Sequence, residues 1–437
     1  MSVVEILEEQ PLRRFHFILL ALACLVYAAT AMNVMLIAVA LKPISVEWKL
    51  DPTAAGILGS YGYVGMFIGA LSSGFIADRI GRKYTMIIMF LLGSVFTGLC
   101  GIAPNYEIMA IFRFIAGIGL GGTLPLPGVY MSEYPPARYR GRFVGVVETS
   151  WVYGAILSVF FGYIWIPQYG WRYAFNAAYL PLILIPFLIA YLPESVRFLE
   201  KKSKIGEIRK ILTKYGLVER AEELEIKPAP APKGDVRRLF ARGYLRRTLI
   251  LWMLWAALVY TYHGIFIWLP YIYATKLGFT VVKSLFWVLI ITLIQVPGYY
   301  SAALLLDKAG RKSILSIYLI VAGIACMLLS TTRDINMILL YSGVISFFNL
   351  GAWAGLYTYT PELYPTELRG TGSGAAASIG RLAGIAAPTV TGFLFAVSGG
   401  ELFYAFPVFA LAHIAAGLVV AVFGEETKGK ILEEISG

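Results

Sequence analysis

The 437-residue sequence contains little charge: 14% of its residues are charged and 58% are hydrophobic. Soluble domains usually carry about 25% charged residues, so this composition excludes an ordinary soluble globular protein. The hydrophobic residues occur in long runs. The run at 17–41 has no charged residue and exceeds the roughly 20 residues that a helix needs to cross a bilayer. With a mean hydropathy of +0.72, the sequence predicts a polytopic helical membrane protein.

Cysteine and histidine are also scarce, with three residues of each. Cys24, Cys100 and Cys326 lie far apart within hydrophobic runs, which excludes a disulfide framework and a clustered metal site. The sequence has no phosphate-binding glycine loop, no metal-ligand spacing and no nucleophile with a neighbouring base. We therefore expect neither an enzyme nor a bound metal or cofactor.

Twelve hydrophobic runs are long enough to be membrane spans, and the start of the sequence has no signal-peptide pattern, so the first run is expected to stay as a span. Basic loops fall on the side of the two termini, whereas opposite loops such as 104–107 are nearly neutral. The positive-inside rule then predicts a plasma-membrane protein with cytoplasmic termini, and it explains the net charge of +11 without nucleic acid. The predicted spans are 17–41, 54–77, 84–103, 107–131, 143–166, 172–192, 248–273, 284–306, 313–331, 336–360, 371–398 and 402–423.

The two halves of the chain repeat with one constant shift in residue number and no gap. The shift carries Asp78, Gly81, Arg82, Glu133 and Arg140 onto Asp307, Gly310, Arg311, Glu362 and Arg369. The repeat predicts an all-α membrane protein with twelve transmembrane helices in two pseudo-symmetric six-helix bundles, the organisation of a rocking secondary transporter. We assign 1–193 to the N-terminal bundle, 194–247 to a cytoplasmic linker with short helices, and 248–437 to the C-terminal bundle and tail.

Several motifs resemble those of the major facilitator superfamily. GFIADRIGRK at 74–83 resembles its signature between the second and third helices, and RFIAGIGLGG at 113–122 resembles its fourth-helix motif. PESVRFL at 193–199 and EETKGK at 425–430 are similar to motifs of the sugar-porter branch. GRLAGIAAP at 380–388 is most similar to the organic-ion, niacin and synaptic-vesicle-protein relatives of that branch. The resemblance implies a secondary transporter that works by alternating access.

The resemblance also implies a cytoplasmic gate in the repeated charged motifs. Asp78 would pair with arginines and a helix end of the opposite half, and Glu133 and Glu362 would pair with Arg140 and Arg369. The alternative is ordinary surface charge, with pairs that contribute about 0–1 kcal/mol each. Duplication of both acids and bases favours the gate. The predicted gate residues are Asp78, Arg79, Gly81, Arg82, Glu133, Arg140, Asp307, Gly310, Arg311, Glu362 and Arg369.

Glu148 and Arg381 lie deep within predicted spans, where a charge costs at least roughly 2.5–3.5 kcal/mol. The shift between the halves maps Arg381 onto Val152, one helical turn from Glu148, so the two halves place opposite charges at nearly matching positions. The arginine fork can donate two parallel hydrogen bonds to a carboxylate, which predicts a site for a small organic anion. The alternative is an arginine that caps carbonyl groups or pairs permanently within its own half.

Aromatic and polar residues complete the predicted substrate site. His263 in the seventh span can titrate near neutral pH, although a buried, hydrogen-bonded histidine is the commoner case. Trp151 and Trp353 can stack on an aromatic substrate. The other candidates for substrate contact are Tyr357, Gln295 and Asn349.

A third intramembrane charge, Arg113, lies at nearly the same depth as Asn33, because each is a similar number of helical residues from the outer end of its predicted span. Proton-coupled relatives of the superfamily often carry an aspartate at the position of Asn33. Asparagine has the shape of a protonated aspartate but cannot release that proton, so either coupling is absent here or the residue is an engineered replacement. A plain helix–helix hydrogen bond is the third interpretation. The candidates for proton coupling are Asn33, Arg113 and Glu148.

The sequence thus favours secondary active transport of a small organic anion, such as an aromatic carboxylate, with proton coupling left open. A sugar, polyol or organic-cation carrier is an alternative. A non-transporting receptor on the same fold is an alternative of another class, because a fold does not fix a function. We expect a monomer whose partners are the substrate, the lipid bilayer and, if coupling occurs, a proton.

Overall fold

The computed structural model describes residues 3–8, 10–217, 236–399, 401 and 404–429. Within these ranges the chain is helical, without β-strands, and twelve helices are long and apolar enough to cross a membrane. We number them spans 1 to 12: Arg14–Glu47, Pro52–Ile80, Arg82–Ile102, Tyr106–Glu133, Ala137–Tyr169, Trp171–Tyr191, Leu245–Phe266, Val281–Ala309, Arg311–Thr331, Ile335–Glu362, Glu367–Val397 and Ala405–Phe423. The predicted all-α fold is confirmed, with span ends that differ by a few residues.

The packing of the spans repeats between the two halves. In the first half, span 1 packs on span 5, and spans 2 and 3 pack on span 4. In the second half, span 7 packs on span 11, and spans 8 and 9 pack on span 10. The halves meet where span 2 packs on span 11 and where span 5 packs on span 8. Spans 2 and 5 of the first half correspond to spans 8 and 11 of the second, so these two contacts are equivalent. The architecture is therefore two six-helix bundles related by a pseudo-twofold axis, as the constant sequence shift predicts.

Proline interrupts two of the hydrophobic runs that the sequence predicts as continuous. In span 4 one helix ends at Thr123 and the next begins at Pro125. Span 7 ends at Phe266, and a separate short helix, Leu269–Lys276, starts one residue before Pro270. Proline lacks the N–H that would continue the helix and its ring clashes with the preceding turn, so the breaks fall just before it.

Short helices lie outside the spans. Val3–Glu8 precedes span 1, and Val196–Lys201 and Ile205–Lys214 follow span 6 in the predicted linker. The proline-rich stretch of that linker, 227–235, lies outside the described residues.

Glycines bring spans 2 and 4 into backbone contact. A Cβ on Gly65 would lie 2.1 Å from the Phe114 carbonyl oxygen, and one on Gly69 would lie 2.0 Å from that of Ile118. Small residues permit such close approach, which replaces the hydrophobic effect as a source of helix–helix stability in lipid. Spans 2 and 4 therefore form one tightly packed unit of the N-terminal bundle.

The two halves are joined at one end of the spans and apart at the other. We call the end that holds Arg14, Arg82 and Arg311 the basic face, and the other end the opposite face. Near the opposite face, the Ser60 hydroxyl of span 2 donates to the Ile385 carbonyl of span 11 at 2.7 Å. A Cβ on Gly56 would lie 2.4 Å from the Pro388 carbonyl oxygen, and the Tyr163 and Phe286 rings lie 6.2 Å apart.

Near the basic face the corresponding helix segments do not pack on each other. A Cβ added to Gly141 or Gly145 of span 5, or to Gly370 or Gly374 of span 11, would meet no heavy atom of the described residues within 4 Å. The described hydrogen bonds and ion pairs between spans of different halves also lie away from this face. The structure is therefore closed at the opposite face and open towards the basic face.

Gly69→Ala should destabilise the protein by about 1–3 kcal/mol, because the added methyl group overlaps the Ile118 carbonyl and forces spans 2 and 4 apart. The matched control is Gly74→Ala in the same helix, where a Cβ meets no described atom within 4 Å. Thermal unfolding in detergent should show a midpoint lowered by several degrees for the first variant and unchanged or raised for the second. Equal midpoints would contradict the close packing.

Candidate functional site

A cavity of about 250 Å³ lies between the two halves at mid-span. Its lining combines two charged residues, Glu148 and Arg381, with aromatic side chains from both halves. The aromatic lining residues are Tyr27, Tyr63, Trp151, Trp255, Tyr262, His263, Tyr299, Trp353 and Tyr357. Pockets for drug-sized ligands usually measure about 300–1,000 Å³, so this cavity suits a molecule about the size of a single ring.

Arg381 lines the cavity from span 11, and the described residues place no acidic group in ion-pair range of its guanidinium. Its electrostatic neighbours are the hydroxyls of Tyr357 and Tyr27. The Tyr27 hydroxyl donates a hydrogen bond to the Glu148 carboxylate, and Tyr357 approaches the same carboxylate from span 10. Two tyrosines thus stand between an acid of one half and a base of the other.

Aromatic side chains form the walls of the cavity. The Trp151 indole N–H donates to the Tyr262 hydroxyl at 2.9 Å, which joins spans 5 and 7. Trp255 packs edge-on against Trp353 and Tyr357, with ring centroids 5.8 and 5.4 Å apart. Aromatic pairs prefer such edge-to-face geometry, and flat rings present faces on which another ring can stack.

Six of the predicted substrate residues come together in this cavity: Arg381, Glu148, Trp151, Trp353, Tyr357 and His263. Gln295 lies just behind the wall, where its amide oxygen is 3.5 Å from the Tyr262 hydroxyl. Asn349 does not line the cavity. Its amide donates to Thr261 at 3.1 Å and lies 2.8 Å from His413, in a buried polar cluster of the C-terminal bundle. The predicted direct substrate contact through Asn349 is therefore wrong for this conformation.

Sequence reasoning missed five of the aromatic lining residues: Tyr27, Tyr63, Trp255, Tyr262 and Tyr299. Trp255 lies two helical turns before Tyr262, which is next to His263, so the three side chains fall on one side of span 7. The helical spacing of Trp255 and Tyr262 relative to His263 could therefore have predicted both as lining residues. Tyr27 and Tyr299 have no such signal, because their side chains reach the cavity only through the packing of spans 1 and 8.

Asn33 and Arg113, which the sequence placed at one depth, lie inside the N-terminal bundle and do not line the cavity, although Arg113 is an electrostatic neighbour of the lining residue Tyr63. Asn33 is fully buried, and its amide donates to the Ser94 hydroxyl at 3.0 Å. Arg113 is also buried, and two of its guanidinium nitrogens find no partner among the described residues; it occupies the space left by the missing side chain of Gly62. No hydrogen bond joins Asn33 to Arg113 in the described part of the chain.

At the basic face, a carboxylate caps the start of span 3. Gly81 has φ +99°, a conformation that favours glycine, and the turn it forms exposes the first N–H groups of the helix. The Glu194 carboxylate accepts from the N–H groups of Arg82 and Lys83 at 2.7 and 3.2 Å. Burial raises the pKa of the Glu194 carboxyl, and these donors oppose that effect. Ser195 is the next residue in the chain.

The same segment ties spans 3 and 4 together. Arg82 forms an ion pair with Glu133 at 2.8 Å, and the Ser195 hydroxyl donates to the other oxygen of Glu133 at 2.5 Å. We call this set, Glu194 and Ser195 with Arg82 and Glu133, the N-terminal latch. It fastens the chain after span 6 to the ends of two other spans.

The C-terminal bundle contains an equivalent set, the C-terminal latch. Gly310 has φ +92°, and Glu426 accepts from the Arg311 N–H at 2.9 Å. Arg311 pairs with Glu362 at 3.2 Å, and the Thr427 hydroxyl donates to Glu362 at 2.6 Å. Each half therefore ties the basic ends of its spans together with an acid that is buried in one half and half-buried in the other, an arginine, a capping glutamate and a hydroxyl.

Comparison with known proteins identifies the family. Residues 23–437 match the family described as "Sugar (and other) transporter". The chain belongs to this transporter family of the major facilitator superfamily. It is 37% identical to the niacin transporter NiaP of Acinetobacter baylyi, with complete coverage of both chains. It is 28% identical to the benzoate transport protein of the same organism, over 97% of this chain and 92% of that one.

Solved structures support the same superfamily fold. The inward open conformation of the xylose transporter XylE from E. coli superposes with a TM-score of 0.74 at 20% identity, covering 96% of this chain and 99% of that one. The protein is therefore an integral membrane transporter of small molecules and not an enzyme.

The gate partners expected from the superfamily motifs are wrong for this conformation. Glu133 and Glu362 pair with Arg82 and Arg311, as described above, and not with Arg140 and Arg369. Arg140 pairs with Glu8 at 2.5 Å, and the Arg369 guanidinium donates to the Pro361 carbonyl at 3.1 Å. The two acids are occupied instead by the arginines that begin spans 3 and 9, Arg82 and Arg311.

Asp78 and its repeat Asp307 also have no described partner in the opposite half. Asp78 pairs with Lys201 at 2.8 Å, and Asp307 pairs with Arg311 one turn along at 3.0 Å. Arg79 is exposed. Contacts between the halves at this face require the halves to be close, and here they are apart.

Glu194→Ala should lower the stability of the transporter by about 1–3 kcal/mol, because the N–H groups at the start of span 3 lose their acceptor in a partly buried site. Glu207→Ala in the same linker is the control, since Glu207 forms an exposed pair with Lys204 at 2.9 Å and such pairs contribute little. Unfolding midpoints in detergent should fall for the first variant alone. A similar fall in the unfolding midpoint for both variants would contradict a stabilising role of the N-terminal latch.

Proposed function

We propose that this protein transports small aromatic carboxylates and binds their carboxylate group through Arg381. The observation that carries the proposal is a guanidinium, without an acidic partner among the described residues, inside a cavity of about 250 Å³ with aromatic walls. An uncompensated charge within a membrane protein is expensive unless a ligand or water neutralises it. A carboxylate supplies the charge and accepts the two parallel hydrogen bonds that arginine offers.

The composition of the cavity and the names of the relatives support this substrate class. The described lining residues include no asparagine or glutamine, the side chains that a sugar or polyol with many hydroxyls would require. Niacin and benzoate, after which two relatives are named, are both carboxylates on a single aromatic ring. An organic cation would have to use Glu148, whose carboxylate already accepts from Tyr27.

Arg381→Ala should reduce uptake of benzoate or nicotinate into proteoliposomes by about 100-fold, because two charge-assisted hydrogen bonds contribute roughly 3 kcal/mol or more. Arg381→Lys keeps the charge without the fork and should lose about tenfold. The control is Arg333→Ala, which removes an exposed arginine outside the cavity. If the alanine variant folds and transports as the wild type does, Arg381 is not the carboxylate site.

We further propose that transport proceeds by alternating access. Contacts through Ser60, Gly56 and Pro388 close the opposite face, while the ends of spans 5 and 11 are apart at the basic face. Rocking of the two bundles about the cavity would reverse this arrangement. The positive-inside rule puts the basic face, and with it both termini, in the cytoplasm of a cell whose plasma membrane holds the transporter as a monomer. The cavity would then be open to the cytoplasm.

Glu148 is our candidate for the proton-coupling group. The groups that face it are the hydroxyls of Tyr27, Tyr299 and Tyr357, with Arg381 beyond them. A substrate carboxylate on Arg381 brings a second negative charge into the same small cavity. Like charges at one site favour protonation of one of them, so anion and proton would enter together. Asn33 cannot take this role because an amide does not titrate at neutral pH.

Glu148→Gln should keep substrate exchange across proteoliposomes but lose accumulation driven by a pH gradient, because the amide cannot carry a proton. Glu107→Gln, an exposed acid at the opposite face, should retain both activities. Asn33→Asp should not be needed for coupling. Gradient-driven accumulation that survives Glu148→Gln, or that appears only with Asn33→Asp, would move the coupling site elsewhere.

A further inference from the structure

Two polar atoms that have no hydrogen-bond partner among the described residues line the part of the cavity nearest the opposite face. They are the hydroxyl of Tyr63 from span 2 and the Nε2 atom of His263 from span 7. Both side chains are more than nine-tenths buried, with exposed fractions of 3% and 7%. Their rings lie 4.7 Å apart between centroids in edge-to-face contact, so the two atoms belong to one small area of the cavity wall.

The hydrogen bond at the other ring nitrogen defines what His263 can offer. Its Nδ1 lies 2.9 Å from the carbonyl oxygen of Val259, one turn earlier in the helix. A carbonyl oxygen only accepts, so Nδ1 carries the proton. In the neutral ring, Nε2 then presents a lone pair and acts as an acceptor. The Tyr63 hydroxyl can both donate and accept.

Buried polar atoms in folded proteins are nearly always paired with protein or water. An unpaired atom that lines a cavity is therefore a place where a molecule held in that cavity can supply the partner. Tyr63 and His263 come from different halves and meet across the cavity, and Trp151, which lines the same cavity, lies 6.1 Å from the His263 ring. A molecule held in the cavity by its carboxylate would present its far edge to this pair.

We propose that Tyr63 and His263 form a second recognition point, for a ring hydroxyl or another substituent that both donates and accepts a hydrogen bond. This inference rests on the proposed function, in which Arg381 holds the carboxylate of the same molecule. An unsubstituted ring leaves both protein atoms unpaired, and a ring nitrogen that only accepts pairs with Tyr63 alone. A hydroxyl donates to Nε2 of His263 and accepts from Tyr63, which satisfies both.

Sites built to hydrogen-bond a substrate hydroxyl discriminate strongly against the analogue that lacks it. The test compares benzoate, nicotinate, 3-hydroxybenzoate and 4-hydroxybenzoate as substrates and competitors in proteoliposomes. For the wild type, at least one hydroxybenzoate should bind about tenfold more tightly than benzoate, with nicotinate between them. Tyr63→Phe and His263→Phe should each reduce this preference, taken as the ratio of hydroxybenzoate affinity to benzoate affinity within the same variant, to about twofold.

Tyr260→Phe is the matched control, because the Tyr260 hydroxyl also has no partner among the described residues and lies in the same span as His263 but outside the cavity lining. This variant should keep the full preference. Benzoate binding shows whether each variant is folded. If His263→Phe proves unstable, Tyr63→Phe still tests the proposal, because it removes only one oxygen atom. Equal binding of benzoate and both hydroxybenzoates by the wild type, or a preference that survives Tyr63→Phe, overturns the second recognition point. Failure of the wild type to bind any carboxylate overturns the proposed function instead.

Discussion

A guanidinium held between two helical bundles is the constraint on which the interpretation of this protein depends. In water, Arg381 would need no partner; in the middle of a membrane, its charge requires an anion, ordered water or a protein acceptor. The described residues surround it with tyrosine hydroxyls and aromatic rings and give it no acid in ion-pair range. Glu148, the intramembrane acid that the other half contributes to the cavity, is held by Tyr27.

Two kinds of contact fasten the spans within each half. Within the membrane, glycines such as Gly65 and Gly69 bring span 2 against span 4. At the basic face, the N-terminal latch and the C-terminal latch bind the chain that follows spans 6 and 12 to the ends of two other spans. The two halves meet where span 2 packs on span 11 and span 5 packs on span 8, and the alternating access proposed above would require motion at this interface.

The sequence predicted most of the fold, because hydrophobic runs and a constant shift between the halves are properties of the chain itself. It predicted less of the latches. Ser195 and Thr427 occupy equivalent places, but the shift that carries Asp78 onto Asp307 carries Ser195 onto Gly424, so the repeat does not reveal this equivalence. The ion-pair partner of Glu133 was also not predicted. Glu133 pairs with Arg82 of another span, whereas closeness in the sequence suggested Arg140.

The cavity was predicted through its charges and only partly through its walls. Arg381 and Glu148 are conspicuous because charge is rare in hydrophobic runs, whereas Tyr27 and Tyr299 resemble many other tyrosines until helices from both halves are packed together. Counting residues along the helices put Asn33 and Arg113 at one depth in the membrane, but it could not show towards which neighbour each side chain points. Asn33 contacts Ser94 instead.

The two faces of the molecule differ in the kinds of contact that their residues can form. Among the described residues, the halves meet near the opposite face through backbone packing, neutral hydrogen bonds and one cation–π contact of Lys42 with Tyr271, without ion pairs. The basic face, by contrast, is dense in lysine, arginine and glutamate. Dissolved ions screen exposed charges over about 8–10 Å at physiological ionic strength but leave van der Waals contact untouched. The conformation seen here is thus sealed by a joint that dissolved salt barely affects, whereas a conformation closed at the basic face would depend on the ionic strength of the solution there.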